Sequence, residues 1–162
     1  MNKLISLVAV LYVFFFTSFI EKISVPGKGL AEGYLAPAIT LEDFGPEQVK
    51  GKKLLVSFWA AYDASSRVSN ALLASQAGKL PNDIQFVSIG FDADTTVFNE
   101  TVKLDKLQES THCYVRNGSS SGLYKTYKLK EGFGNYLINE EGVIIAKNLD
   151  PESLKKLIFP IK

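Results

Sequence analysis

The sequence predicts an α/β domain in which helices flank a mixed central sheet. Two apolar runs, residues 54–60 and 84–92, are continuous enough to be strands buried on both faces of such a sheet. Polar residues typical of a helix start follow each run. Residues 136–146 add two shorter apolar segments around a Glu-Glu-Gly turn, a pattern typical of a β-hairpin.

The first strand leads directly into a predicted helix. Asp63 is a good N-cap, because its carboxylate can accept the unpaired backbone N–H groups of the first turn and faces the positive end of the helix dipole. We expect the helix to span about residues 64–79 and to close before Pro81. The spacing of its apolar residues predicts an inner face formed by Val68, Leu72, Leu73 and Ala77.

The second strand also ends at a helix cap. Asp92 and Asp94 form a D-x-D pattern, which a strand end followed by an N-cap explains. We expect Asp94 to cap a helix over about residues 95–108. The apolar positions of that helix predict one inner stripe, formed by Val97, Thr101, Leu104 and Leu107.

The remaining elements before the hairpin are short. A strand over residues 111–115 contains His112 and Cys113, and a Gly-Ser segment at 117–122 leads into a short helix that ends near Tyr127. After the hairpin, the last helix has an N-cap, a proline at its first position and an acid in its first turn, which are Asp150, Pro151 and Glu152.

The N-terminal part differs from the rest in composition. Residues 4–20 contain no charged side chain and follow Lys3, which is the layout of a signal peptide or of an uncleaved signal anchor. As a helix the run is about 25 Å long, near the lower limit for spanning a bilayer. We therefore expect residues 1–22 to be a signal peptide or membrane anchor, residues 23–32 a linker and residues 33–162 the folded domain. That domain is then extracytoplasmic, either membrane-anchored or periplasmic or secreted, with the membrane as a partner if the segment stays uncleaved.

Charge and cysteine content limit the possible functions. The formal net charge is +1 without a basic block, so nucleic acid is not an expected partner. Cys113 is the only cysteine and cannot form an internal disulfide, so its thiol is either buried and inert or available for an intermolecular bond; we expect burial. His112 and Cys113 supply too few ligands for a metal site, and no cofactor is expected.

Three segments resemble one known family. Residues 58–67 read F-W-A-A-Y-D-A-S-S-R, which resembles the F-W-A-x-W-C-x-x-C-R active-site segment of thioredoxin-like proteins, above all of the TlpA/ResA type of the cell envelope. The hairpin at 136–146 resembles that family's F-L-I-D-x-x-G-x-I-x-A, and residues 33–43 resemble its G-x-x-A-P-x-x-x-L-x-D opening. The resemblance covers about residues 33–160 and implies a thioredoxin-like fold.

The resemblance fails at the two thiols that give the family its activity. Asp63 stands where the attacking cysteine would be, and Ser66 stands where the resolving cysteine would be. Thiol-disulfide exchange needs an exposed thiolate and a second thiol to resolve the mixed disulfide. Asp63 keeps the negative charge but cannot attack a disulfide, and capping explains both residues. The resemblance thus implies a scaffold without the family's usual reaction.

A second departure lies in the loop before the hairpin. Phe133 occupies the position of the family's cis-proline, which lies against the dithiol and presents backbone to a substrate peptide. A cis bond before a residue other than proline costs about 2.5 to 4 kcal/mol, so we expect a trans peptide here. Phe133 then either covers the former active-site surface, which we favour, or serves as an exposed aromatic anchor.

Two functions from different classes follow. The first is a redox-inactive module that binds a protein or peptide partner through a set of residues near the former dithiol, namely Trp59, Tyr62, Asp63, Ser66 and Phe133. The second is a thiol-disulfide oxidoreductase-type enzyme that works through Cys113, with His112 assisting and a partner supplying the resolving thiol. A hydrolytic use of Asp63 and Ser66 has no histidine near in sequence.

Overall fold

A computed structural model describes residues 26–42, 44–107 and 111–159 of the chain. Its strands are β1 Lys53–Trp59, β2 Ile84–Gly90, β3 Thr111–Tyr114, β4 Asn135–Ile138 and β5 Ile144–Lys147. They form one five-stranded sheet in the order β3-β2-β1-β4-β5. The first three strands are parallel, whereas β4 pairs antiparallel with β1 and β5 pairs antiparallel with β4. The mixed sheet predicted from the sequence is confirmed.

The helices of this part of the chain are α1 Ala64–Ala74, α2 Thr95–Leu104, α3 Gly122–Thr126 and α4 Pro151–Ile158. Single turns of 3-10 helix connect the larger elements at Pro46–Val49, Ala77–Lys79, Gly118–Ser120 and Leu129–Glu131. Leu73 of α1 and Leu154 of α4 belong to one core cluster, and Leu123 of α3 packs against the other. Helices therefore flank both faces of the sheet.

The core lies on both sides of β1, as its continuous apolar run requires. Leu54, Val56 and Phe58 belong to one cluster, and Leu55 belongs to the cluster on the opposite face. Successive side chains of a strand point to opposite faces, so only a strand covered on both sides can be apolar at almost every position. β1 is thus the central strand of the domain.

Three aspartates cap helices as predicted. Asp63 accepts a hydrogen bond from the backbone N–H of Ser66 at 2.8 Å, and Asp94 accepts from that of Thr96 at 2.7 Å. Asp150 accepts from the N–H of residue 153 at 2.7 Å, and Pro151 occupies the first helical position as expected. Each cap is set by its own few residues, which explains why the sequence locates all three.

The predicted inner face of α1 is wrong at two positions. Val68 is 59% exposed and Leu72 is also exposed, whereas the buried side chains of the helix are Ser66, Asn70, Leu73 and Ala74. Polar Ser66 and Asn70 take inward positions of the helix, and Ser66 is hydrogen-bonded to backbone groups of the preceding turn. Apolar spacing alone therefore misplaced the inner face, and the α-helix ends at Ala74, before the predicted end at residue 79.

The predicted stripe of α2 is also wrong in part. Phe98 and Thr101 are buried, but Val97 and Leu104 are exposed. The ring of Phe98 stacks on Trp59 with centroids 5.6 Å apart, and this contact sets which side of α2 faces inward. The helix stops at Leu104, since Lys106 has a φ of 56° in the left-handed region.

The predicted signal or anchor at residues 1–22 lies outside the described residues. Within the part of the chain that the structure describes, no helix combines the length and apolar character needed to cross a bilayer. Inside the predicted linker, residues 27–29 already form backbone hydrogen bonds with Leu35, and Leu35 makes an isolated bridge with Val143.

Candidate functional site

Trp59 lies beneath the candidate site rather than on its surface. The side chain is fully buried, and its indole Nε1 donates a hydrogen bond of 2.7 Å to Ser88 Oγ on the neighbouring strand. Its ring stacks on Phe98 from the other side. Trp59 was expected among the binding residues, but at this depth it cannot touch a partner and instead supports the turn above it.

The turn that follows β1 presents Asp63 at the start of α1. Its carboxylate Oδ1 accepts hydrogen bonds of 2.8 Å from both the backbone N–H of Ser66 and the hydroxyl of Ser65. These bonds, the backbone one first, lower the pKa of Asp63 below its ordinary value of 3.8. Asp63 is therefore a carboxylate at neutral pH whose main contacts are those of a helix cap.

Ser66 is directed inward. It is 6% exposed, and its Oγ donates to the backbone carbonyl of Asp63 at 3.1 Å and accepts from the N–H of Ala60 at 3.4 Å. Both hydrogen-bond partners are backbone groups of the same turn, and the Ser66 side chain also helps to lower the pKa of the neighbouring Asp63. The arrangement stabilises the turn.

Asp92 contacts the same turn, although its position in the sequence predicts only the end of a strand. It is 2% exposed, and its Oδ1 accepts a 2.8 Å hydrogen bond from the N–H of Ala61. Its Oδ2 is buried and has no partner among the described residues, and burial raises its pKa. The carboxyl ends of β1 and β2 meet at one edge of the sheet, and this topology is the signal that links Asp92 to the turn.

Phe133 is half-buried among three other aromatic side chains. Its ring lies 6.2 Å from that of Tyr62, 6.0 Å from that of Phe91 and 6.1 Å from that of Tyr124, measured between centroids. The described chain contains no cis peptide bond, so the expected trans peptide before Phe133 is confirmed. Phe133 covers its aromatic neighbours, while Tyr62 remains 66% exposed.

A groove with a volume of about 400 Å³ opens beside Phe133 and Ser66. Its walls come from β1, α1, the loop at 133–135 and the loop that precedes α4. The lining residues are Ser57, Phe58, Ser65, Ser66, Val68, Ser69, Leu72, Phe133, Gly134, Asn135, Asn148, Leu149, Asp150 and Pro151. The exposed Val68 and Leu72, which do not pack into the core, therefore have a place as walls of this groove.

Arg67 lies on another side of α1 and pairs with Asp105. Its Nε and Nη2 donate hydrogen bonds of 2.7 and 2.6 Å to the two carboxylate oxygens of Asp105, just past the end of α2. Such a bidentate pair fixes both side chains. The charge of Arg67 is thus already balanced within the domain.

Cys113 and His112 lie away from this turn. Cys113 is 5% exposed, as expected, and belongs to the core on β3, which is separated from β1 by β2. His112 contacts the carbonyl of Leu107 through Nε2, and burial lowers its pKa. No group of three or more potential metal ligands occurs among the residues that the structure describes.

Comparison with solved structures identifies the family. A thioredoxin-like protein from Parabacteroides distasonis is 46% identical, and the match covers 80% of this chain and 96% of that one with a TM-score of 0.73. The chain belongs to the thioredoxin-like family. This confirms the resemblance read from residues 58–67 and from the hairpin.

Two further structures show what this thioredoxin-like chain is similar to. The C-terminal domain of a candidate thiol-disulfide oxidoreductase from Bacteroides thetaiotaomicron is 32% identical, with a TM-score of 0.60, over 67% of this chain and 76% of that one. The thioredoxin domain of a thiol-disulfide oxidoreductase from Bacteroides vulgatus is 23% identical, with a TM-score of 0.66, over 80% and 99% of the two chains; at this identity it shows the fold alone. No protein-family model and no curated protein matches the chain.

Proposed function

We propose that this thioredoxin-like domain does not exchange disulfides and instead binds a protein or peptide partner. The proposed binding surface consists of Tyr62, Asp63 and Phe133 together with the adjoining groove. The observation that supports it best is the exposed ring of Tyr62, which packs on Phe133 beside an open groove and next to the positions of the missing thiols. Exposed aromatic side chains at the edge of a groove are typical anchors for a partner.

The groups at the former thiol positions favour binding over exchange. Exchange requires a thiolate that attacks and a second thiol that resolves. Asp63 is a capping carboxylate and Ser66 is a buried hydroxyl bonded to backbone. The single-thiol alternative needs an exposed and acidic Cys113, whereas this residue lies in the core at 5% exposure.

We also propose that the domain works outside the cytoplasm and that residues 4–20 act either as its membrane anchor or as its export signal. The apolar run and the preceding Lys3 support this placement. A protease that reaches the outer face of the cytoplasmic membrane but does not enter the cytoplasm should degrade the domain. Full protection of the domain would contradict the proposal.

Capture of a partner by the immobilised full chain tests the binding surface. Tyr62→Ala and Phe133→Ala should each lose the captured partner, since the first removes the exposed ring and the second removes the ring on which it packs and part of the groove wall. Val97→Ala, a change at an exposed apolar residue of α2, should retain it and is the matched control. Retention by both aromatic variants would contradict the proposed surface.

The same capture separates the two candidate functions. Cys113→Ser should leave partner binding unchanged, because the thiol lies in the core rather than on the proposed surface. Circular dichroism of the variant checks that the fold is intact. Loss of the partner from a folded Cys113→Ser variant would instead favour the single-thiol oxidoreductase.

A further inference from the structure

We propose that the partner segment bound in the groove is basic, presenting a lysine or arginine flanked by apolar side chains. This inference rests on the proposed function, because it specifies the chemistry of the partner for the same surface. Its basis is the charge and the apolar character of the residues that line the groove and its edge.

Two carboxylates flank the groove. Asp150 is itself a lining residue, and Asp63 lies at the edge, where its carboxylate accepts a hydrogen bond from the lining residue Ser65 at 2.8 Å. Both accept backbone N–H groups at the start of a helix, which lowers the pKa of each below its ordinary value. Both are therefore negatively charged at neutral pH.

Positive charge is absent from the described lining of the groove. None of the described lining residues is a lysine or an arginine. Arg67, on another side of α1, is engaged by Asp105 in a bidentate pair. The positive charge of Lys156 on α4 also acts on Asp150 and helps to lower its pKa, but Lys156 is not one of the residues that line the groove. The described lining and edge of the groove thus contain two carboxylates and no lysine or arginine, on a chain whose net charge is +1.

The rest of the groove favours apolar contacts on either side of the basic group. Val68, Leu72 and Leu149 contribute exposed or half-buried apolar surface to its walls. Phe133 lines the groove, and its ring packs against that of Tyr62, the sequence neighbour of Asp63. Aromatic faces attract lysine and arginine. A segment that alternates basic and apolar side chains satisfies both features, whereas an acidic segment would be repelled by Asp63 and Asp150.

Fluorescence anisotropy with three labelled peptide pools tests this chemistry on the full chain. The pools share leucine and valine flanks and differ only at the central position, which is lysine or arginine, glutamine, or glutamate. The basic pool should bind roughly ten-fold more tightly than the glutamine pool, and this preference should shrink as added salt screens the charges. The glutamate pool should bind most weakly.

Matched substitutions at three helix caps test the role of the two carboxylates. Asp63→Asn and Asp150→Asn remove a charge but keep a good capping side chain, so α1 and α4 should stay folded. Each should reduce the preference for the basic pool several-fold. Asp94→Asn makes the same change at the cap of α2, which does not line the groove, and should leave the preference unchanged.

The outcomes separate this inference from the proposed function. Equal binding of all three pools that is lost in Phe133→Ala would overturn the basic preference and leave partner binding in place. Failure of every pool to bind would overturn both. An equal effect of Asp94→Asn and Asp63→Asn would also overturn the inference, because the effect would then come from net charge rather than from the groove.

Discussion

The buried layer beneath the turn and the exposed rim above it differ in how they relate to the family pattern. In the buried layer, Trp59 keeps the family's tryptophan and is bonded to Ser88 and stacked on Phe98. Above this layer, Asp63 and the inward-directed Ser66 replace the two cysteines of that pattern, and Phe133 replaces its proline. The buried layer thus matches the family pattern, whereas the side chains at the dithiol and proline positions do not; function resides in such sites rather than in folds.

The largest expected effect is in the buried layer. Trp59→Ala should lower the free energy of unfolding by about 3–5 kcal/mol, because it removes a fully buried aromatic side chain and its contact with Phe98. Urea unfolding of the variant measures this loss. Tyr62→Ala, at the exposed rim, should change stability by only about 0.5 kcal/mol. Similar losses in the two variants would remove the distinction between buried layer and rim.

The next effect concerns Gly90, at the end of β2. A Cβ at this position would lie 2.5 Å from the ring of Phe98, so Gly90→Ala should cost about 1–3 kcal/mol through overpacking. Thermal unfolding provides the measurement. Gly78→Ala, where a Cβ meets nothing within 4 Å, is the control and should be close to neutral. An equal loss of stability in the two variants would contradict the close packing of Phe98 against Gly90 and Trp59.

Removing the cap at the rim should have a smaller effect, and one that depends on pH. Asp63→Ala should cost about 1 kcal/mol at neutral pH, and Asp94→Ala should cost about the same, because each removes one N-cap. The folded-state pKa of Asp63 is below its ordinary value, so its contribution is present above that value and is lost as the pH falls through the folded-state pKa.

Unfolding by urea between neutral and acidic pH checks this dependence. The stability difference between the parent and Asp63→Ala should shrink as the solution is acidified. A stability difference that grows towards acidic pH would mean that the capping hydrogen bonds do not stabilise the charged form of Asp63. Only Asp63→Ala, and not Asp94→Ala, should also weaken partner binding, which distinguishes the rim from an ordinary helix start.

The smallest effect is expected at Ser66. Its hydroxyl makes hydrogen bonds of 3.1 and 3.4 Å to backbone, and Ser66→Ala would leave the buried N–H of Ala60 without this acceptor. Because that bond is long, the loss of stability should be only about 0.5–1 kcal/mol. Ser88→Ala is the matched change in the buried layer and should cost about 1–3 kcal/mol, since it leaves the Trp59 N–H buried without its 2.7 Å acceptor. Thermal unfolding compares the two, and a larger loss at Ser66 would reverse the comparison.

The sequence predicts those features that depend on neighbouring residues. The apolar runs of β1 and β2 and the caps at Asp63, Asp94 and Asp150 were located correctly because each is a local pattern. The inner face of α1 was not, because polar Ser66 and Asn70 face the sheet and their burial depends on tertiary packing.

The candidate site was predicted less completely than the fold. The family pattern pointed to Asp63, Ser66 and Phe133, but it placed Trp59 among the binding residues although this side chain is fully buried. The hydrogen bond between Asp92 and Ala61 joins residues 31 positions apart, which no local pattern encodes. The groove likewise forms only when α1 and the loop before α4 are brought together.

The central claim is that the rim no longer exchanges disulfides, and reduction of insulin disulfides by the full chain tests it most directly. The assay compares the parent with Cys113→Ser and with the double variant Asp63→Cys, Ser66→Cys, in the presence of dithiothreitol. The parent and Cys113→Ser should both give the rate of insulin reduction measured without protein. The double variant restores the two thiols, so it shows whether Phe133 by itself prevents disulfide exchange. Catalysis by the parent that disappears in Cys113→Ser would contradict the account and identify a single-thiol enzyme.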